Sequence, residues 1–211
     1  MTNYDLIIDT SRKGISMALY ADPVYEEIVE PTGKGEILSA SLDSLLAKVG
    51  ATLDDVKRVM VTVGPGSFSG LRTGVAFCQG LCFSGKRNLY GVTTLQALAC
   101  FSGVADNDTA VVIRARNGFW YLRLNGVESF IETAEVVERL KASSVKNAVV
   151  DAAAFADETL TAIFKDKGIA TTLDTDKPLS MWSPLFETVK PSLIQEANYI
   201  QPSYFEKLSK S

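Results

Sequence analysis

The 211 residues include no histidine. Within this chain that excludes serine–histidine catalysis, metal ligation by imidazole and proton shuttling by histidine. Cysteine is scarce as well, with only Cys78, Cys82 and Cys100 present. Zinc held by thiolates alone normally needs one more than this, and so few cysteines suggest a reducing cytoplasm as the compartment. There is no basic surplus either: 21 Lys and Arg stand against 25 Asp and Glu, for a net charge of -4. If nucleic acid is involved, a partner is expected to supply much of the phosphate-binding charge. No apolar run is long enough to cross a bilayer, and Met1-Thr2-Asn3-Tyr4-Asp5 lacks the basic start and apolar stretch of a signal peptide.

What is present is ordinary for a globular α/β chain. Hydrophobic residues make up 46% and charged ones 22%, which removes disordered and low-complexity classes. Asp5 to Asp9 reads as a short buried strand. Ile15, Met17 and Leu19 then alternate with Ser16, Ala18 and Tyr20 at the period of a half-buried strand, and Val24 to Glu30 is a third. From Glu36 to Val49 the period becomes helical: Leu38, Leu42, Leu45, Leu46 and Val49 share a face, and Gly50 is a stop. Val59 to Val63 is a strand, Phe68 to Ser84 a helix, Leu89 to Val92 a strand and Leu95 to Cys100 a helix. The second half starts over with a strand at Ala110 to Ala115. Phe119 to Leu124 and Val127 to Ile131 then flank Asn125-Gly126, a strong hairpin signal. A helix near Thr133 to Lys141, a strand at Ala148 to Asp151 and a helix near Phe155 to Lys165 follow. The repeat of three strands, helix, strand, helix suggests two tandem actin-like (ASKHA, RNase H-like) lobes, each a mixed sheet flanked by helices. Their spans are 1–103 and 104–211.

The stretch VGPGSFSGLRTGVAF, Val63 to Phe77, is the most informative. Its glycines fit neither the P-loop nor the dinucleotide fingerprint, because no Lys-Ser or Lys-Thr follows and the spacing from Gly66 to Gly70 is one residue too long. An anion site at the helix N-terminus stays open, since the first amides there are free; Asp9, Thr10, Ser11, Gly64, Gly66 and Ser67 would form such a vestigial phosphate loop. The helix itself carries two apolar stripes. Phe68, Leu71, Val75, Cys78 and Cys82 make one, and Gly70, Gly74, Phe77 and Leu81 the other. A helix apolar on two sides is covered on two sides. Either it lies centrally in one lobe, covered by the Glu36–Val49 helix, or the two helices form a subunit interface through Leu38, Leu42, Leu45, Phe68, Gly70, Leu71, Gly74, Val75, Phe77 and Cys78. Gly70 and Gly74 would permit the close approach of another helix.

Other residues have a chemical and a plain reading. Asp9 ends the first strand, where an acid in actin-like enzymes holds magnesium beside ATP phosphates; as a turn cap it would bond nearby amides instead. Cys78 and Cys82, one turn apart, read as buried hydrophobes more readily than as a redox pair. Phe119, Trp120 and Tyr121, with Arg114, Arg116 and Arg123 nearby, either stack on RNA bases or form the core and solvent faces of a hairpin. Met181-Trp182 and Tyr199 to Phe205 read as apolar anchors for terminal segments.

Ile8-Asp9-Thr10-Ser11, the run from Val63 to Ala76, and Gly91-Val92-Thr93-Thr94-Leu95-Gln96-Ala97-Leu98-Ala99 closely resemble the TsaB family, also called YeaZ. Ala115-Arg116-Asn117-Gly118-Phe119-Trp120-Tyr121 and Pro202-Ser203-Tyr204-Phe205 carry a thinner likeness. The resemblance implies a non-catalytic scaffold or activator subunit. The complex it serves transfers a threonylcarbamoyl group to N6 of adenosine 37 in tRNAs that read codons beginning with A. It also implies pairing with a TsaD-like transferase subunit through the first-lobe helices, docking of a TsaE-like ATPase subunit, and a homodimer when alone. ATP and metal are expected on the partner subunits and none on this chain, tRNA is engaged indirectly, and the compartment is cytoplasmic. The competing class is a stand-alone ATP-binding phosphotransferase of the actin-like fold. Two positions depart from the family: Pro31-Thr32-Gly33-Lys34-Gly35-Glu36 replaces a common His-Ser pair, and Arg114 stands where the second lobe commonly shows an Asp.

Overall fold

A computed structural model describes residues 2–33, 35–104, 108–116, 118–175 and 177–200. The strands and helices of the first half are β1 (Tyr4–Asp9), β2 (Ile15–Ala21), β3 (Val24–Glu30), α1 (Leu38–Val49), β4 (Val56–Thr62), α2 (Phe68–Cys82), β5 (Asn88–Val92) and α3 (Thr94–Ala99). A 3-10 turn at Gly35–Ile37 leads into α1, and Gly50 ends it in the left-handed conformation, its N–H turned back to the Leu46 and Ala47 carbonyls. The second half runs β6 (Thr109–Arg116), β7 (Phe119–Leu124), β8 (Val127–Glu132), α4 (Thr133–Ala142), β9 (Asn147–Val150), α5 (Ala152–Ala156), α6 (Glu158–Lys167), β10 (Ala170–Leu173) and α7 (Leu185–Thr188).

The sheet order is β3-β2-β1-β4-β5 in one half and β8-β7-β6-β9-β10 in the other. In both, the first three strands form an antiparallel meander and the last two run parallel to its first strand. This is the repeated lobe that the strand and helix pattern predicts, and the Asn125-Gly126 turn joins β7 to β8 with both residues at positive φ. β10 and α7 were not legible: Ala170–Leu173 is short and Leu185–Thr188 a single turn, so neither carries a usable period. The expected helix near Phe155 to Lys165 is two helices, because Asp157 accepts from the Thr159 and Leu160 amides and starts a new one.

Contacts divide the chain into one compact unit of Met1–Thr94 with Pro178–Asn198, and a second built on Leu95–Lys177. Pro178–Asn198 thus belongs with the first unit, whereas a single boundary after residue 103 places it in the second lobe. The reason is a two-sided sheet. One face of the first sheet, with Leu6, Ile8, Met17, Leu19, Val59 and Val61, packs on α1 and α2. The opposite face presents the cross-strand row Ala18, Ile7, Met60 and Tyr90, all buried. The 179–182 turn, with Leu179 and Trp182 buried, packs against β1 and β2, and Phe186 meets Tyr90 edge-on at 5.0 Å. Arg58 holds α7 in place: it forks onto both Asp5 carboxylate oxygens at 2.7 and 2.6 Å, pairs with Glu187, and lies 4.6 Å over the Phe186 ring. Met181-Trp182 anchors a returning segment as expected; Pro202 to Phe205 lies outside the described residues.

In the second unit the face of the sheet toward α4, α5 and α6 carries Ala110, Val112, Trp120, Leu122 and Ile131. Trp120 is buried, and its indole N–H donates to Thr133 Oγ1 at 2.9 Å.

Candidate functional site

The glycine-rich segment begins where β4 ends. Gly64 has φ 111°, a conformation that disfavours any side chain, and its carbonyl accepts from Thr94 N at 2.8 Å. Ser67 then caps α2, its hydroxyl accepting from Gly70 N at 3.3 Å and its carbonyl from Leu71 N at 2.9 Å, while Ser67 N donates to Ser11 O at 2.6 Å. The loop and the helix start are therefore stitched to the β1–β2 turn by the chain's own groups.

The same turn explains the two glycines. A Cβ at Gly70 would collide with the Thr10 carbonyl oxygen, and one at Gly74 with Thr10 Oγ1. The smooth side of α2 lies against Thr10 of its own unit, and no second helix occupies it. Burial places most of the expected interface set within the unit. Leu71, Val75, Cys78 and Cys82 face the sheet, and Leu42 and Leu45 of α1 join them in one core. Phe77 and Leu81 are half-buried against that core. Leu42, Leu45, Leu71, Gly74, Val75 and Cys78 are thus interior positions; Gly70, half-buried, is occupied by the turn. The plain reading of α2, central within its lobe, describes both stripes.

Within the expected interface set, exposure is left to Phe68, at 59%, with Leu38 and Phe77 at the floor of a groove beside it. The outward face of α2 consists of Phe68, Ser69, Arg72, Thr73, Ala76 and Gly80. With Gly35 and Leu38 across from it, α2 bounds an open groove of about 790 Å³. Sequence reasoning passed over this third stripe because Arg72 and Thr73 read as the polar remainder. The four-residue spacing of Phe68, Arg72, Ala76 and Gly80 was the available signal. Arg72 lies 5.4 Å over the Phe68 ring, a cation–π contact that leaves the ring exposed.

Asp9 is buried and fully engaged. Its Oδ1 accepts from Ser11 N (2.9 Å), Ser11 Oγ (2.6 Å) and Thr62 Oγ1 (2.8 Å), and its Oδ2 from Arg12 Nε (3.1 Å). Burial alone would push this carboxyl up, but the Arg12 guanidinium, then Ser11 and Thr62, together hold it below the ordinary aspartate value. These residues do not fit a magnesium ion: the carboxylate is spent on four donors, and the described residues hold no group of three His, Cys, Asp or Glu that could ligate one. Asp9 is the turn cap. Thr10, Ser11, Gly64, Gly66 and Ser67 are brought together around it, but as a self-bonded turn, with Ser11 in the space a Cβ on Gly66 would need.

Cys78 and Cys82 are free thiols. Burial pushes the Cys78 thiol well up, and burial, partly offset by Arg87, raises Cys82 to about 11. Both are protonated near neutral pH and unreactive.

A family model described as TsaD, tRNA N6-adenosine threonylcarbamoyltransferase, matches residues 34–164. A Buchnera aphidicola protein named tRNA threonylcarbamoyladenosine biosynthesis protein TsaB is 28% identical over 67% of this chain and 74% of its own length. The Escherichia coli protein of the same name is 31% identical over 63% of this chain and 62% of its own length. Among solved structures, a Pseudomonas aeruginosa protein described as similar to the peptidase YeaZ superposes with a TM-score of 0.71 at 20% identity, covering 94% of this chain and all of that one. Pseudomonas aeruginosa YeaZ gives 0.64 at 20% identity over 88% and 93%. Those neighbours share this chain's fold, in which two lobes repeat one order of strands and helices. The transferase-type model covers more than half of the chain, and curated relatives bearing the TsaB name match across both halves of it. The chain belongs to the TsaB (YeaZ) family, within the wider group that the threonylcarbamoyltransferase model describes.

Proposed function

We propose that this chain is a supporting subunit in the synthesis of N6-threonylcarbamoyladenosine at position 37 of tRNAs that read codons beginning with A. It acts by pairing with a TsaD-like transferase subunit. The observation that carries the reading is the outward face of α2: an exposed phenylalanine, a small-residue track and an adjoining groove, on an element whose sequence carries the resemblance to the family. A phenylalanine beside such a groove is the kind of anchor around which subunit contacts concentrate. The chain's own chemistry supports a non-catalytic role. It has no histidine to hold a metal, and its buried acid is committed to a turn. ATP and metal then belong to the partner subunits, a TsaE-like ATPase joins the pair, and the same α2 face serves a homodimer when the chain is alone.

The test is co-expression with the transferase subunit. Phe68→Asp and Ala76→Arg both alter exposed positions, so the fold is retained while the partner is repelled. Loss of an anchor of this kind weakens pairing by about 30-fold or more. Co-purification at wild-type yield, with the urea midpoint also unchanged, would overturn the reading.

A further inference from the structure

The second unit carries an aromatic and cationic cluster that pairing through α2 leaves unused. β6 pairs with β7 through an irregularity between Arg114 and Arg116. There Arg116 lays its guanidinium over two rings, 4.8 Å from the Phe119 centroid and 5.0 Å from that of Phe130. The two rings are themselves stacked, 4.8 Å apart with 6° between their planes, and Tyr121 leans on Phe130 at 5.7 Å. Phe119 and Phe130 are half-buried, while Arg116 is exposed. Arg114, two residues earlier and also exposed, lies 5.6 Å over Trp120.

Charge makes the cluster unusual within this chain. On the same hairpin Arg123 pairs with Glu128 at 3.0 Å, and on α4 Arg139 pairs with Glu135 at 2.6 Å. Arg116 makes no ion pair among the described residues, not even with Glu132, opposite Phe119 in the β7–β8 register, whereas the Arg114 amide donates to Asp151 Oδ2 at 2.8 Å. Acids outnumber bases 25 to 21, so leaving Arg116 unneutralised points to an anion supplied from outside. The ring ladder says which anion. A carboxylate takes guanidinium in its plane, through the fork of N–H groups, and gains nothing from a stacked pair of rings beneath it. A nucleobase uses the flat outer side of the guanidinium, and its phosphate supplies the charge.

We infer that Arg116, carried on the Phe119–Phe130 stack, is a stacking platform for unpaired RNA bases. The choice of RNA over single-stranded DNA rests on the proposed role in tRNA modification.

The test is photo-cross-linking of the full chain, alone and with the transferase subunit, to a hairpin RNA with 4-thiouridine in its loop, together with binding by fluorescence anisotropy. Cross-links are expected within residues 114–130. Arg116→Ala lowers RNA affinity on the order of tenfold, the loss of one stacked base. Arg116→Lys keeps the charge but not the plane and stays weak. Arg116 is exposed, so the urea midpoint of both variants is that of the wild type. Full recovery by lysine would reduce the contact to a point charge and remove the stacking claim. Cross-links confined to other segments, in both preparations, would remove the site. The two proposals fail separately: cross-links at 114–130 without co-purification keep the platform and discard the pairing, and the reverse discards the platform alone.

Discussion

Asp9 shows how a single residue can suggest catalysis and perform structure. A carboxylate at the end of a first strand fits a metal site and a turn cap equally well as sequence. The four donors that surround it decide for the cap. Its folded-state pKa lies below the unfolded value of about 3.9, so the ionised group contributes stability that is complete above that value and lost as pH falls through the folded one. Asp9→Asn keeps an acceptor but not the charge. It should lower unfolding free energy at pH 7 by about 1–3 kcal/mol, the range for hydrogen bonds to a charged, buried group. The gap between wild type and variant should begin to narrow near pH 4, as the carboxyl of the unfolded chain protonates, and close as pH falls through the lower folded-state value. Urea midpoints at neutral and acid pH measure this; a gap that stays constant would show that the charge contributes nothing.

At the scale of elements, α2 is where the expectation and the structure part. Its limits were legible: Ser67 caps it, and the apolar period runs from Phe68 to Cys82, two residues short of the expected end. Which stripe faces which neighbour was not, because periodicity fixes the angle between faces and leaves their partners open. The deciding contact is Thr10, sixty or more positions away in the chain, which fills the space above Gly70 and Gly74. The pair of glycines reads identically whether a foreign helix or the home turn lies over it. Gly74→Ala therefore probes the fold. The added methyl pushes α2 away from the β1–β2 turn and costs about 1–3 kcal/mol, the usual penalty for overpacking. Measured by urea unfolding, a neutral or stabilising effect would mean that the turn yields freely, and the close approach would lose its importance. The exposed face of the same helix was hidden for a related reason: Arg72 stands between Phe68 and Ala76, and a cation between two apolar positions looks like solvent in a sequence.

On the scale of the whole molecule, the two sheets repeat one topology, and that much followed from the order of strands, helices and turns. The return of Pro178–Asn198 to the first unit did not, since it depends on isolated anchors spaced without period. Bonds to the first unit hold it there: Leu179 N to Glu27, Ser192 N to Leu89 O, Asn198 N to Val63 O, and Gln79 to the Leu193 and Gln195 carbonyls. The chain's two tryptophans fall one to each unit, Trp120 in the second and Trp182 in the returning segment. In a Trp120→Phe background the fluorescence of Trp182 thus reports on the first unit alone. Adding Arg58→Ala strips Asp5 of both guanidinium bonds and frees Glu187 and Phe186 from their cation. Arg58 is about a third exposed, so the effect is set by the Asp5 carboxylate, which stays buried and loses its guanidinium donors, about 1–3 kcal/mol. The Trp182 transition should move to lower urea by that amount relative to the Trp120→Phe parent. A Trp182 transition that does not move would show that the returning segment is held by its apolar anchors, with the Arg58 fork contributing nothing to the attachment.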